Sequence, residues 1–179
     1  MLNVKKYKHF LNDNEYIDLI NSFQSKDLNW QSNENTANPA TSINTKLTKD
    51  SPQKVCLFLS RSKTPDFYIL ENICNKIKKL YNVEFIRIKA NYVLKDQKSL
   101  GYHHYLHKDS DAEDFISFIY YVYDSDGDTV FFNDYVEEIF KCSPQKNMLI
   151  QFPSKILHAS SSPVYYNSRL VINFVCKRL

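Results

Sequence analysis

Five histidines occur in the 179-residue chain, and three of them crowd into the run Gly101–Asp109, GYHHYLHKD. In an extended chain residues two apart point to the same face, so His107 and Asp109 project together, one imidazole beside one carboxylate. His103 shares that parity further along, and His104 faces the other way. A fourth histidine, His158, sits in KILHASS, 49 residues after Asp109. Two imidazoles and a carboxylate converging on one face could hold a divalent metal such as Fe(II) and leave coordination positions open. A structural zinc site would close all four positions, usually with Cys and His, and no such set is present. An H-x-D tripeptide also arises by chance, so the triplet alone does not decide. Arg169 adds weight, because it stands in the apolar run NSRLVINFVC of a chain with 19 lysines and only four arginines. A guanidinium placed there needs an anionic partner, either a ligand carboxylate, which its fork fits, or a protein Asp or Glu.

The elements that must position these groups follow from hydrophobic spacing. Residues 11–23 carry apolar side chains at helical intervals behind Asn12 and Glu15, a capping-box start. Residues 31–52 are polar and loop-like, and a stretch of that length reads either as a lid or as poorly ordered chain. KVCLFLS at 54–60 reads as a strand, and Pro65 opens a helix whose stripe is Leu70, Ile73, Ile77 and Leu80. From residue 84 the pattern turns to period two, and eight short strand-like runs follow, among them 102–109 itself. That order predicts a closed or sandwiched antiparallel β fold behind two helices.

Residues 84–176 resemble the double-stranded β-helix core of the 2-oxoglutarate/Fe(II)-dependent dioxygenases, and within them the prolyl-4-hydroxylase-like branch. The resemblance rests on His107-x-Asp109, FIYYVYDSDGDTVFF, PQKNMLIQFPSKILHAS and RLVINF, in that order. It implies a mainly β, jelly-roll or cupin-like domain with flanking N-terminal helices. One domain would span 1–179, with 1–83 as helical support bearing the polar loop 31–52, and 84–179 as the β-helix core. It implies that His107, Asp109 and His158 hold Fe(II), that Arg169 binds the distal carboxylate of 2-oxoglutarate, and that O₂ is the oxidant. Tyr121 matches a tyrosine that helps bind the co-substrate; Asn91, or its neighbour Tyr92, is a further candidate. The implied reaction hydroxylates a C–H bond, best matched by a peptidyl, prolyl-type substrate, with decarboxylation of 2-oxoglutarate to succinate. The chain departs from the family pattern where Val171 replaces a hydroxyl residue, Asp126-Gly127 replaces Gly-Gly, and Val175 replaces the second arginine of the base-repair relatives.

Composition bounds the remaining readings. A net charge of +3 is too mild to indicate a nucleic-acid partner, which leaves a protein, peptide or small-molecule substrate. No apolar run reaches the roughly 18 residues of a membrane span. The charged start MLNVKKYKHF lacks the apolar stretch of a secretory signal, and Cys56, Cys74, Cys142 and Cys176 are scattered singly. The expected setting is a reducing, cytoplasmic one with free thiols. Nothing in the sequence speaks to oligomeric state. Two other readings stay open: a non-catalytic jelly-roll binding or structural module, and a metal cupin enzyme that uses no 2-oxoglutarate. Arg169 separates them, since neither needs a guanidinium facing a metal pocket. A nucleobase or small metabolite is the alternative substrate.

Overall fold

A computed structural model describes residues 3–179. Among the described residues ten strands form two antiparallel sheets, accompanied by two α-helices. The strands are β1 (Lys5–Lys8), β2 (Trp30–Asn33), β3 (Gln53–Leu59), β4 (Val83–Leu94), β5 (Phe115–Tyr121), β6 (Thr129–Phe132), β7 (Glu138–Cys142), β8 (Met148–Pro153), β9 (Leu157–Ser160) and β10 (Ser168–Arg178). The larger sheet runs β1-β8-β5-β10-β4-β3-β2 and the smaller β7-β6-β9. This is the double-stranded β-helix expected from the sequence.

Period-two alternation on the central strands builds two different interiors. On β10, Leu170, Ile172, Phe174 and Cys176 join the hydrophobic cluster that also holds Leu19 of α1 (Asp13–Ser25) and Ile73 and Ile77 of α2 (Glu71–Leu80). The alternate residues Arg169, Val171 and Asn173 line a cleft between the sheets, beside a second cluster of Ile119, Phe131, Ile150 and Phe152. One face of the sheet therefore packs on helices and stays dry, while the other mixes apolar and polar groups.

Helix α1 starts as its sequence predicts. Asn12 accepts the Glu15 backbone N–H at 3.0 Å, and Glu15 accepts the Asn12 N–H at 2.9 Å. Pro65 opens a 3-10 turn, Pro65–Leu70, before α2 begins at Glu71, so the expected single helix is split at its start.

Three expectations need correction. The 1–83 region is not only helical support, because it contributes β1, β2 and β3 to the larger sheet. β1, Lys-Lys-Tyr-Lys, has no apolar alternation; it is an edge strand held by backbone pairing to β8. Segment 31–52 is neither free nor wholly irregular. Its first residues form β2, and further on Ile43 pairs with Leu106 and Thr48 with His103 in isolated bridges. The Thr36 N–H donates to Asp50 at 2.9 Å, and Gln53 Nε2 donates to the carbonyls of Asn35 and Thr36 at 3.0 and 2.9 Å. Finally, 102–109 is extended but forms no continuous strand; it touches its neighbours through single bridges at His103, Leu106 and His107.

Candidate metal centre and the cleft behind it

His107 and His158 exchange both backbone hydrogen bonds, at 2.9 and 3.0 Å, across a single antiparallel bridge. Residues opposed in this way carry their side chains on the same face, and the two rings stand 4.5 Å apart. Asp109, two residues on, follows the same parity, and its backbone N–H is anchored on the Ser154 carbonyl at 3.0 Å. The ligating atoms of His107, Asp109 and His158 all lie within 4.8 Å of one another.

The protonation pattern suits metal binding. Nδ1 of His107 contacts the Tyr105 carbonyl at 3.3 Å, and Nδ1 of His158 contacts the Ile156 carbonyl at 2.9 Å. A carbonyl only accepts, so each Nδ1 carries a proton and each Nε2 is the nitrogen turned toward a cation. Burial, reinforced by the neighbouring His158, lowers His107 to about 3, so its ring is neutral. Phe152 packs edge-on against His158 with centroids 4.9 Å apart and fixes that ring.

Asp109 is surrounded by donors. Its Oδ1 accepts from Arg87 Nη2 at 2.9 Å, and its Oδ2 accepts from Ser117 Oγ at 2.6 Å and Asn173 Nδ2 at 3.3 Å. Burial alone would raise its pKa, but the imidazoles of His158 and His107, the Arg87 guanidinium and the Ser117 hydroxyl hold it well below the usual carboxylate range. A carboxylate offers about four lone-pair positions, so these three bonds leave acceptor capacity for a cation. The donor set therefore fits a divalent metal with an incomplete protein shell.

The triad opens into a narrow cleft between the sheets, lined further by Asn91, Thr129 and Val171. Arg169 lines it and is only 4% exposed. Its Nε donates to the Gly127 carbonyl at 2.7 Å and its Nη2 to Thr129 Oγ1 at 2.9 Å. Among the described residues no carboxylate pairs with it, so the protein-salt-bridge reading of Arg169 fails. Burial works against its charge. A guanidinium so placed, with donors to spare, is matched to an anion from outside the chain.

The residues around Arg169 account for one departure in the sequence pattern. A Cβ at position 127 would meet the Ser161 carbonyl oxygen at 2.7 Å and Arg169 Cδ at 2.9 Å, so only glycine fits. Asp126 accepts the backbone N–H groups of Val164, Tyr165 and Tyr166 at 3.1, 2.8 and 3.3 Å. It thereby pins the turn that leads into β10. One glycine makes room for the arginine, and an aspartate ties down the chain that delivers it.

The other sequence candidates separate clearly. Asn91 lines the cleft, and its buried Oδ1 has no hydrogen-bond partner. Tyr92 faces the opposite side and packs on Trp30 with centroids 6.1 Å apart. Tyr121 is fully buried and does not line the cleft; its hydroxyl donates to Thr129 Oγ1 at 2.8 Å, so Thr129 stands between it and the cavity. His104 bonds Ser160 and Ser162 at 2.8 and 3.0 Å, a satisfied core histidine. His103 lies against Phe132 and Glu138, away from the triad.

Sequence reasoning missed Arg87, Lys89, Ser117, Thr129 and Asn173. A signal existed: Arg87, Lys89 and Asn91 alternate on β4 as Arg169 and Asn173 do on β10. The polar face of a strand reads as solvent-facing unless a second sheet is known to cover it.

Comparison of the sequence with family models and with curated proteins gives no match. Solved structures do match the fold. A 2OG-Fe(II) oxygenase family oxidoreductase from Burkholderia pseudomallei superposes with TM-score 0.71 at 12% identity, covering 98% of this chain and 85% of that one. The viral collagen prolyl hydroxylase of Paramecium Bursaria Chlorella virus-1, as its 2OG complex, gives 0.54 at 18% identity, over 97% and 96%. HygX from Streptomyces hygroscopicus, with nickel, 2-oxoglutarate and hygromycin B bound, gives 0.61 at 8% identity, over 99% and 83%. At such identities the likeness is one of architecture. The chain has the double-stranded β-helix fold of the 2OG-Fe(II) oxygenases.

Proposed function

We propose that the protein is an Fe(II)- and 2-oxoglutarate-dependent dioxygenase that hydroxylates a C–H bond, best matched by a peptidyl, prolyl-type substrate. The observation that carries this reading is Arg169: a buried guanidinium without a carboxylate partner, in the same cleft as a two-histidine, one-carboxylate set. His107, Asp109 and His158 would hold the iron. When bound, iron and 2-oxoglutarate supply the oxidising chemistry, with O₂ consumed and succinate and CO₂ released.

The chain's own residues bind, orient and exclude water. Arg169, held by Gly127 and Thr129, would fix the distal carboxylate of the co-substrate, and Asn91, on the cleft wall, would donate an amide N–H along the way. Tyr121 would act through Thr129 as a positioning residue. Arg87, Ser117 and Asn173 keep Asp109 ionised and correctly turned. Ile119 forms the apolar side of the cleft, with Phe131 and Phe152 in the cluster beside it.

A second, wider groove opens over the triad and shares Lys89, His107 and Asp109 with the cleft. It is walled on one side by Ser32–Thr41 and on the other by Arg87, His107 and Lys108. Its open, largely polar wall, formed by the end of β2 and the loop that follows, supports an extended peptide more than a compact metabolite. The collagen prolyl hydroxylase likeness supports the same choice. Four buried, unpaired thiols support a reducing compartment.

The test is an anaerobic titration with Fe(II) and 2-oxoglutarate, followed by the visible charge-transfer band of a chelated keto acid. The band should form in wild type, vanish in His107→Ala and need far more 2-oxoglutarate in Arg169→Ala. A folded wild-type protein that gives no band would move the binding-module reading to the front. Metal binding without a band, unaffected by Arg169→Ala, would favour a cupin that uses no 2-oxoglutarate.

A further inference from the structure

Lys89 has no role in the arrangement described so far. It sits on the inner face of β4, opposite Asn173 in the register, and its side chain lines both the inner cleft and the outer groove. Among the described residues it makes no hydrogen bond and no ion pair. The only carboxylate in the cleft, Asp109, is already committed to Arg87, Ser117 and Asn173. Burial, with the Arg87 charge adding to it and Asp109 opposing, lowers Lys89 to about 8.

The junction of cleft and groove therefore carries two cations, Arg87 and Lys89, against one carboxylate. Arg87 leaves its buried Nε without a partner as well. A metal held by the triad would make the local excess of positive charge larger. Glu34, on the far wall of the groove, is the other acidic residue lining it, and Lys108 is paired with Asp111 at 3.1 Å.

Lys89 and Arg169 start from separate points of the cleft, and the Arg169 guanidinium is tied to Gly127 and Thr129. The register places Arg169 opposite Val93, four residues along β4 from Lys89, which corresponds to about 13 Å of strand. Two cationic points thus stand at opposite ends of one cavity.

We propose that Lys89 is a second anion-binding point, at the groove end of the cleft, that takes a carboxylate. The carboxylate comes either from the near end of the co-substrate or from an acidic group on the primary substrate beside its reacting carbon. This assignment rests on the dioxygenase reading for the identity of the co-substrate, but not for the existence of the site.

The experiment uses protein loaded with redox-inert Zn(II), so that its readout is binding and not turnover. Wild type, Lys89→Met and Lys89→Arg are titrated calorimetrically with 2-oxoglutarate. Acetate is then added to each 2-oxoglutarate-saturated complex, and its binding is followed by saturation transfer to the methyl protons. If the co-substrate supplies the carboxylate, Lys89→Met weakens 2-oxoglutarate about tenfold or more and Lys89→Arg largely restores it. If the primary substrate supplies it, 2-oxoglutarate affinity is unchanged, while acetate binds the saturated wild type and Lys89→Arg but not Lys89→Met. Lys89→Gln serves should the Met variant misfold. Equal binding of both probes by wild type and the folded neutral variants would overturn the assignment. Failure of wild type to bind 2-oxoglutarate, with acetate binding still dependent on Lys89, would sink the dioxygenase reading and leave this site standing.

Discussion

Gly127→Ala adds one methyl group at the point where β10 delivers Arg169. The new Cβ would lie 2.7 Å from the Ser161 carbonyl oxygen, 2.9 Å from Arg169 Cδ and 3.2 Å from the Pro163 nitrogen. Two of these atoms are backbone and cannot swing aside, so both the 161–163 turn and the arginine stem must shift. Gly127 has no positive φ, hence the effect is steric and not conformational. Overpacking of this kind costs about 1–3 kcal/mol, which for a chain of this size lowers Tm by roughly 2–12 °C. The displaced stem also strains the 2.7 Å bond from Nε to the Gly127 carbonyl. Loss of one charge-assisted hydrogen bond's alignment is worth about 1.5–3 kcal/mol, so 2-oxoglutarate affinity should fall about ten- to a hundredfold. The triad lies on other elements, and Fe(II) affinity should stay within about twofold. Differential scanning calorimetry and anaerobic titrations of Fe(II) and 2-oxoglutarate read the three quantities separately. A variant with unchanged Tm and unchanged 2-oxoglutarate affinity would refute the view that close approach of Gly127 positions Arg169. Iron affinity lost in parallel would point to general unfolding of the site.

Asp109→Ala and His158→Ala should each lose stoichiometric iron after desalting, measured by metal analysis; iron retained in either shows that the triad is misassigned. Ser117→Ala removes the 2.6 Å bond to Asp109 and should weaken Fe(II) about ten- to a hundredfold while keeping the fold, as read by metal competition. Asp126→Ala should cost about 1–2 kcal/mol through three lost backbone bonds. Burial alone would raise that carboxyl, but the N–H groups of Tyr165, Tyr166 and Val164 outweigh it and depress the folded value. Its contribution is therefore present above the unfolded carboxylate value of about 3.9 and is lost as pH falls through the lower folded one. Urea melts from pH 7 to pH 2 should show the gap between wild type and variant closing on the acid side; a gap independent of pH would exclude the ionised carboxylate as its source. Asp50→Ala releases Thr36 and should speed amide exchange across 34–50 more than elsewhere, because that side chain ties the groove wall at Thr36 to the far end of segment 31–52. Uniform exchange would show that the wall is held by other contacts.

Local chemistry made much of this protein legible in the sequence. Alternation is a property of each strand, so the runs around β4, β5, β8 and β10 could be read one at a time. Asn12 and Glu15 announced a helix start because a capping box involves only neighbours in the chain. His107 and Asp109 could be paired because parity alone puts them on one face, and Arg169 stood out because a guanidinium in an apolar run needs an explanation.

What tertiary structure alone decided depends on long-range pairing. Only the reciprocal bridge between His107 and His158 shows that residues 51 apart share a face. β1 is a strand by virtue of its partner β8, not its own sequence, and segment 102–109 has the right alternation but too few partners to form one. The inner role of Arg87, Lys89 and Asn173 was hidden because a polar strand face looks the same whether water or a second sheet covers it. Tyr121 was displaced from the cleft by Thr129, a residue whose position depends on the pairing of β6 with β7 and β9. A sequence specifies which side chains alternate. The register of distant strands specifies which of those side chains meet.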